Sequence, residues 1–364
     1  MYPNLPVRHP KPDAKRFIDA LMGRIPPLAC APMVEYLVDE VLRQSIGCEM
    51  LGQTWSPWLA NNREETARYF DNFIDFWYRM GYDFVRFEHG LAFPAAKLSA
   101  ADTAKGVTRQ RSWADQHHGM IRTWEDFERY PWPKVEEYDF FLFEYISRHL
   151  PDGLGFIVCH SGGIFEHLSS MLSLEGLCFL LYDDPALVKA VANRTGELMA
   201  AFYEQLAGMD NIIAIFQGDD MGHKTGTMIS PDDLRTYCLP SHKRFAEIAH
   251  AHGMPYFLHS CGNMFAVIED LIEDVKLDGK HSYEDVIIPI EDFQRDYGNR
   301  LAVLGGMDID ILARATPEGV RQRAHQLMET CGPRGRFAIG SGSSIASYIP
   351  IPNYLAMLDE ALGF

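Results

Sequence analysis

The chain has 364 residues, 47% hydrophobic and 23% charged, a composition that excludes the disordered and fibrous classes and is sufficient for a buried core. Its net charge of −17, from 33 Lys+Arg against 50 Asp+Glu, comes with no basic run that could track a phosphate backbone, which argues against nucleic-acid binding. No apolar stretch nears the ~18 residues of a membrane span, and the start "MYPNLPVRHPKPDAKRF" lacks the apolar core of a secretion signal, so a cytoplasmic protein is expected. The seven cysteines are odd in number and scattered, as reduced thiols rather than a disulfide framework would be.

Short apolar or β-branched runs recur along the chain, each followed by a helical pattern. They are "PPLACAPMV" (26–34), "YDFVRF" (82–87), "LGFIVC" (154–159), "NIIAIF" (211–216), "MPYFLH" (254–259), "LDGKHS" (277–282), "RLAVLGG" (300–306) and "RFAIGS" (336–341). Continuous apolar strands alternating with helices imply a parallel sheet covered on both faces, and eight such units predict a (β/α)₈ TIM barrel forming one domain over residues 1–364. A doubly wound open sheet is the alternative architecture.

The aromatics of "FDNFIDFWYRMGYDF" (70–84) fall at helical spacing and are expected to pack the barrel. Residues 88–153 are too many for a bare loop, so they are read as an insertion over the barrel mouth. Within it, "KGVTRQRSWADQHHGMIRTW" alternates as a hairpin would, and "TWEDFERYPWP" reads as a short helix cut by Pro131 and Pro133. Further on, one helix is predicted from an N-cap at Ser230 to a stop at Gly253, and another from Thr316 to Gly332 with Glu318 in its first turn.

In a barrel the carboxyl ends of the strands form one face, and that face carries the chemistry. The eight runs end in turn at Glu35 and Tyr36; Glu88 and His89; His160, Ser161 and Gly162; Asp219, Asp220 and His223; His259 and Cys261; His281; Asp308; and Ser341, Ser343 and Ser344. Imidazoles and acids dominate this set, as a shared site would require. In "YFLHSCGN" (256–263) the H-x-C spacing can turn the imidazole of His259 and the sulfur of Cys261 toward one zinc ion, with further ligands drawn from Glu88, His160, Asp219, Asp220, His281 or Cys331. The same pair also fits a small buried thiol beside a hydrogen-bonded core histidine. Of the adjacent Asp219 and Asp220, one can cap a helix while the other faces the mouth as an acid/base. "GSGSS" offers backbone N–H groups to an anion.

With these residues in view, "GDDMG", "MISPDDLRTYCLPSHKRFAEIAHAHGMPYFLHSCGN", "GNRLAVLGGMDIDILARATPEGV" and "GSGSSIASYIPIPNYLAMLDE" resemble the uroporphyrinogen decarboxylase superfamily over nearly the whole chain. Within it, His259-Ser260-Cys261 looks like part of the zinc motif of corrinoid-dependent methyltransferases. The resemblance implies a methyl group moved between a small substrate and a methylcobamide carried by a corrinoid protein, with His259 and Cys261 holding zinc. Beside the resemblance, the strand-end reading expects Asp219 or Asp220, Glu88 and His281 to orient substrate or transfer protons, and Glu35, His160, His223, Ser341 and Ser343 to bind substrate. A homodimer is also in keeping with the resemblance. Where those methyltransferases have a third ligand cysteine, in the last strand-end loop, this chain has Ser343. Against the decarboxylase proper, the stretches "APMVEYLVDE" and "RFEHG" place acids where that enzyme carries arginines and an essential aspartate, and an acidic mouth repels a polycarboxylate. Porphyrinogen decarboxylation is therefore the second expectation, and a non-catalytic ligand-binding barrel the third.

Overall fold

The computed structural model describes residues 2–59, 62–101 and 110–364. Among these, seven strands form one all-parallel sheet in strict chain order: β1 (Phe84–Glu88), β2 (Gly155–Cys159), β3 (Ile212–Gly218), β4 (Tyr256–His259), β5 (Gly279–His281), β6 (Ala302–Leu304) and β7 (Phe337–Ala338). A doubly wound sheet reverses its strand order at a switch point, and this one does not. The fold is mixed α/β, and every strand directs its carboxyl end to the same side.

The run at 26–34 is not a laddered strand. Its segment joins β7 through a bridge between Met33 and Ile339, with Val34 N–H donating to the Ile339 carbonyl and Ile339 N–H to that of Pro32. Toward β1 its link is a side chain, Arg86 Nη1 donating to the Tyr36 carbonyl. Pro26, Pro27 and Pro32 lack the N–H groups that a ladder needs, which the apolar pattern alone does not register.

Alternation sorts the strand side chains. In β1, Phe87 turns outward against Phe70 and Phe143, with ring centroids 5.0 and 5.3 Å away, while Arg86 turns inward, its guanidinium 3.5 Å from the centre of the Tyr36 ring. Phe70 lies in the helix Arg63–Arg79, whose buried face is largely aromatic.

Between β1 and β2 the chain forms an antiparallel hairpin of Lys97–Ala101 with Gln110–Ala114, and a short helix, Trp124–Arg129, capped by Thr123. Residues 105–109 of the expected hairpin lie outside the described residues. The helix expected over 230–253 is two, Pro231–Tyr237 and Leu239–Ala251. Pro240 can neither donate to nor clear the carbonyl one turn back, so the axis breaks at Cys238 while Ser230 still caps the first piece. Thr316 caps the helix Pro317–Cys331 as its pattern implies. No single helix among the described residues is long and apolar enough to cross a membrane.

Candidate metal centre

Parallel register brings three strand ends together. Gly218 pairs with His259, and His259 with His281, so the two imidazoles project from neighbouring positions on the same face. The chain then leaves β3 through Asp219 and Asp220 and leaves β4 through Ser260 and Cys261. A tight turn holds the second exit: Gly262 has φ +80° and lies against the backbone of Gly222, where a side chain would collide. Gly218 is bare for a related reason, since a Cβ there would fall on the Tyr36 hydroxyl.

The outcome is a cluster of one carboxylate, one imidazole and one sulfur. Asp220, His259 and Cys261 have donor atoms all within 4.8 Å of one another. His259 Nε2 lies 3.4 Å from Cys261 Sγ and 3.6 Å from Asp220 Oδ1. Zinc bonds of about 2.0–2.3 Å put the corners of a tetrahedron roughly 3.3–3.8 Å apart, so the spacing and the donor chemistry both fit that ion. Asp220 also accepts the Cys261 N–H at 2.9 Å, which ties the two exits together. The Ser282 hydroxyl donates to Cys261 Sγ at 3.3 Å, and Ser343 lies beside the same thiol. Burial, and then the Asp220 carboxylate, push the Cys261 thiol up to about 12. A cation held beside it would favour its thiolate form.

Burial acts in the opposite direction on the two histidines. It holds His281 down to about 3 and His259 well below the ordinary imidazole range, so both rings are neutral, as metal ligation requires. Their Nδ1 atoms are 2.7 Å apart, and the Tyr36 ring stacks on His259 with centroids 4.0 Å apart.

Around this cluster the predicted residues separate. Glu88 is near it, held by Arg86 Nη2 at 2.9 Å and by the Tyr36 hydroxyl at 3.0 Å. His281 and Ser343 adjoin it, His281 against His259 and Ser343 beside Cys261. His223 is exposed on the small hairpin of Gly222–His223 with Gly226–Thr227, and its carbonyl accepts the Asn263 N–H just beyond Cys261. Glu35 and Ser341, read as substrate-binding, are fully buried and bonded to each other. His160, read likewise, is fully buried: Nε2 accepts the Leu91 N–H at 2.9 Å and Nδ1 meets the Gly162 carbonyl at 3.3 Å. Asp219 is turned away. Its oxygens accept from Phe165 N–H and Glu166 N–H, both at 3.1 Å, and from His242 Nε2 at 2.9 Å, so it caps the helix Ile164–Met171.

Two groups escaped the sequence reading. Glu166 is pushed up to about 8 by burial and by the Asp219, Asp220 and Glu88 carboxylates. Its only sequence signal was an acid at the third position of a helix. Lys280 is buried and drawn down to about 8, donating to the carbonyls of Ser282, His281 and Ser260 at 2.6, 3.2 and 3.4 Å. A lone lysine in "LDGKHS" does not disclose that it clamps both strand exits.

Among solved structures, an intracellular xylanase of Thermoanaerobacterium saccharolyticum in complex with xylotriose aligns over 92% of this chain and 98% of its own at 11% identity and a TM-score of 0.36. An endo-1,4-beta-xylanase of Caldicellulosiruptor owensensis aligns over 58% and 73% at 14% and 0.31. Likeness at this level carries no argument. No curated protein matches the sequence. Residues 116–363, more than half the chain and including every member of the cluster, match the family described as Uroporphyrinogen decarboxylase (URO-D). The chain belongs to the uroporphyrinogen decarboxylase family.

Proposed function

We propose that this protein is a metal-assisted methyltransferase, moving a methyl group between a small substrate and a corrinoid carried by a partner protein. In this reading the bridged segment at 32–38 completes a (β/α)₈ barrel whose mouth is the site. The observation that carries it is the donor set Asp220, His259 and Cys261, a carboxylate, an imidazole and a sulfur with donor atoms within 4.8 Å of one another, the number and kind of protein ligands that would hold a catalytic zinc ion. Bound there, the ion supplies Lewis acidity toward the substrate heteroatom that gains or loses the methyl group.

The rest falls to the chain. Asp220 spans the two loop exits through the Cys261 N–H and keeps sulfur and carboxylate on one side of His259. Glu88, pinned by Arg86 and Tyr36, is placed to orient substrate, and Glu166, whose carboxyl is pushed up to about 8 while Oε2 accepts the Gly163 N–H, is the proton donor of this reading. The Glu88 and Asp220 carboxylates together favour neutral or cationic substrates over polyanions.

Protein purified without chelator is expected to hold roughly one equivalent of zinc. Cys261→Ser should bring this below about a tenth, with loss of methyl transfer to free cob(I)alamin. Less than about a tenth of an equivalent in the unaltered protein, unchanged by Cys261→Ser, overturns the metal reading. A second reading, porphyrinogen decarboxylation, is favoured by the family match and by a carboxylate, Glu88, at the end of β1. Release of CO₂ from uroporphyrinogen would support it in place of the first.

A further inference from the structure

We infer that Glu35, Ser341 and His281 are positioning residues that preset His259 as its Nδ1–H tautomer, so that its Nε2 lone pair faces Asp220 and Cys261 before a metal arrives. This rests on the metal reading above and adds residues that touch neither metal nor substrate.

The direction of each hydrogen bond follows from what each atom is able to do. His281 Nε2 lies 3.0 Å from the Ser341 carbonyl oxygen, which only accepts, so Nε2 carries the proton. The His281 ring is fully buried and, among the described residues, has no carboxylate as a hydrogen-bond partner, so it holds that single proton; Nδ1 is bare, and at 2.7 Å it accepts from His259 Nδ1. His259 therefore donates from Nδ1, and its other nitrogen, Nε2, is the atom nearest Cys261 Sγ and Asp220 Oδ1 and the one left to ligate. The opposite tautomer of His259 would set two lone pairs against each other at the His281 contact.

Ser341 is itself held. Glu35 Oε1 accepts the Ser341 N–H at 2.9 Å, and Oε2 lies 2.5 Å from the Ser341 hydroxyl, which meets the Ser343 carbonyl at 3.1 Å. Both residues are fully buried and come from opposite ends of the chain, so this link ties the first strand-end segment to the last loop. Gly305, at φ +89°, lies against both the Ser341 carbonyl and the His281 ring; a Cβ there would occupy the space in which the two meet. The Tyr36 ring, stacked on both imidazoles at 4.0 and 5.9 Å, sets their planes. Outer partners that fix the tautomer of a ligating histidine are typically worth about 10- to 100-fold in metal affinity.

The direct test is ¹⁵N NMR of histidine-labelled, metal-free full-length protein at neutral pH, with His259 assigned by substitution. A protonated Nδ1 and bare Nε2 on His259 are expected; Nε2–H overturns the inference. Zinc affinity, by competition with a chelator, is the second readout. His281→Asn keeps an acceptor where Nδ1 was, and His281→Leu keeps bulk alone. The inference expects the Asn variant within about threefold of the unaltered protein and the Leu variant about 10- to 100-fold weaker. A role in packing alone predicts the reverse order, and that result would refute it. Glu35→Gln and Glu35→Leu should divide in the same way, because the amide can accept the Ser341 N–H and donate to its hydroxyl. If no metal binds at all, the proposed function fails while the NMR result still decides the tautomer.

Discussion

The site has two sides that the sequence describes in the same terms. On one, Asp219, His160, Glu35 and Ser341 have their polar atoms bonded to backbone, to the buried His242 imidazole or to one another; all four are fully buried. On the other, Asp220, His259 and Cys261 meet with donor atoms turned toward a common point, and the Asp220 side chain keeps 45% of its exposure. Asp219 and Asp220 are adjacent, yet one belongs to each side. Residue type therefore says little about role here; unspent hydrogen-bonding capacity says more, because a donor set can hold a ligand only with lone pairs that the fold has left free.

The comparison is broken most sharply at Asp219. Asp219→Ala strands two backbone N–H groups and the His242 imidazole in a dry interior, and should cost roughly 3–5 kcal/mol of stability, read by chemical denaturation. A loss under about 1 kcal/mol would mean that the buried side does not depend on its polar contacts.

Glu35 gives a comparable effect through pH. Burial raises its carboxyl from 4.5 to about 8, with the two Ser341 contacts opposing the shift. A raised acid contributes stability that is fully present below its unfolded pKa and is lost as pH climbs toward the folded one. Relative to Glu35→Gln, which does not titrate, the unaltered protein should lose on the order of 3 kcal/mol between pH 5 and pH 8. Parallel stability curves would show that Glu35 is not held as a neutral acid.

On the open side the expected pattern reverses. Asp220→Ala removes an exposed carboxylate and one hydrogen bond, so stability should move by less than about 1 kcal/mol while zinc affinity falls by about 100-fold or more. Equal zinc affinity would remove Asp220 from the ligand set and leave His259 and Cys261 short of a catalytic site.

How much of this was legible beforehand divides along the same line. Strand ends, and the H-x-C pair on one of them, can be read because apolar runs and their terminators are local. The parallel order of the sheet follows from alternation with helices. What escaped is non-local or concerns the backbone: prolines in the first run that forbid a ladder, the break before Pro240, the choice between Asp219 and Asp220, and the proximity of Glu166 to three other carboxylates. Glu35 and Ser341 were visible as strand-end residues, but their pairing spans nearly the whole chain. Only packing shows that they support the site from below and do not line it.

Ser343 offers the finest adjustment of the contrast. Its side chain lies beside the Cys261 thiol, so a sulfur at the same position would stand within reach of the same ion. Zinc prefers thiolate to hydroxyl, and a fourth protein ligand turns an open site into a closed one. Ser343→Cys should therefore raise zinc affinity by about tenfold and, in the cobalt-substituted protein, strengthen the thiolate charge-transfer absorption. Turnover should fall as affinity rises, because the position kept for substrate is then filled. Tighter binding with undiminished turnover would mean that the added sulfur had displaced Asp220 and left the vacant corner in place. Unchanged affinity would place Ser343 outside the coordination sphere, and the open side would then be wider than three donors and one substrate position.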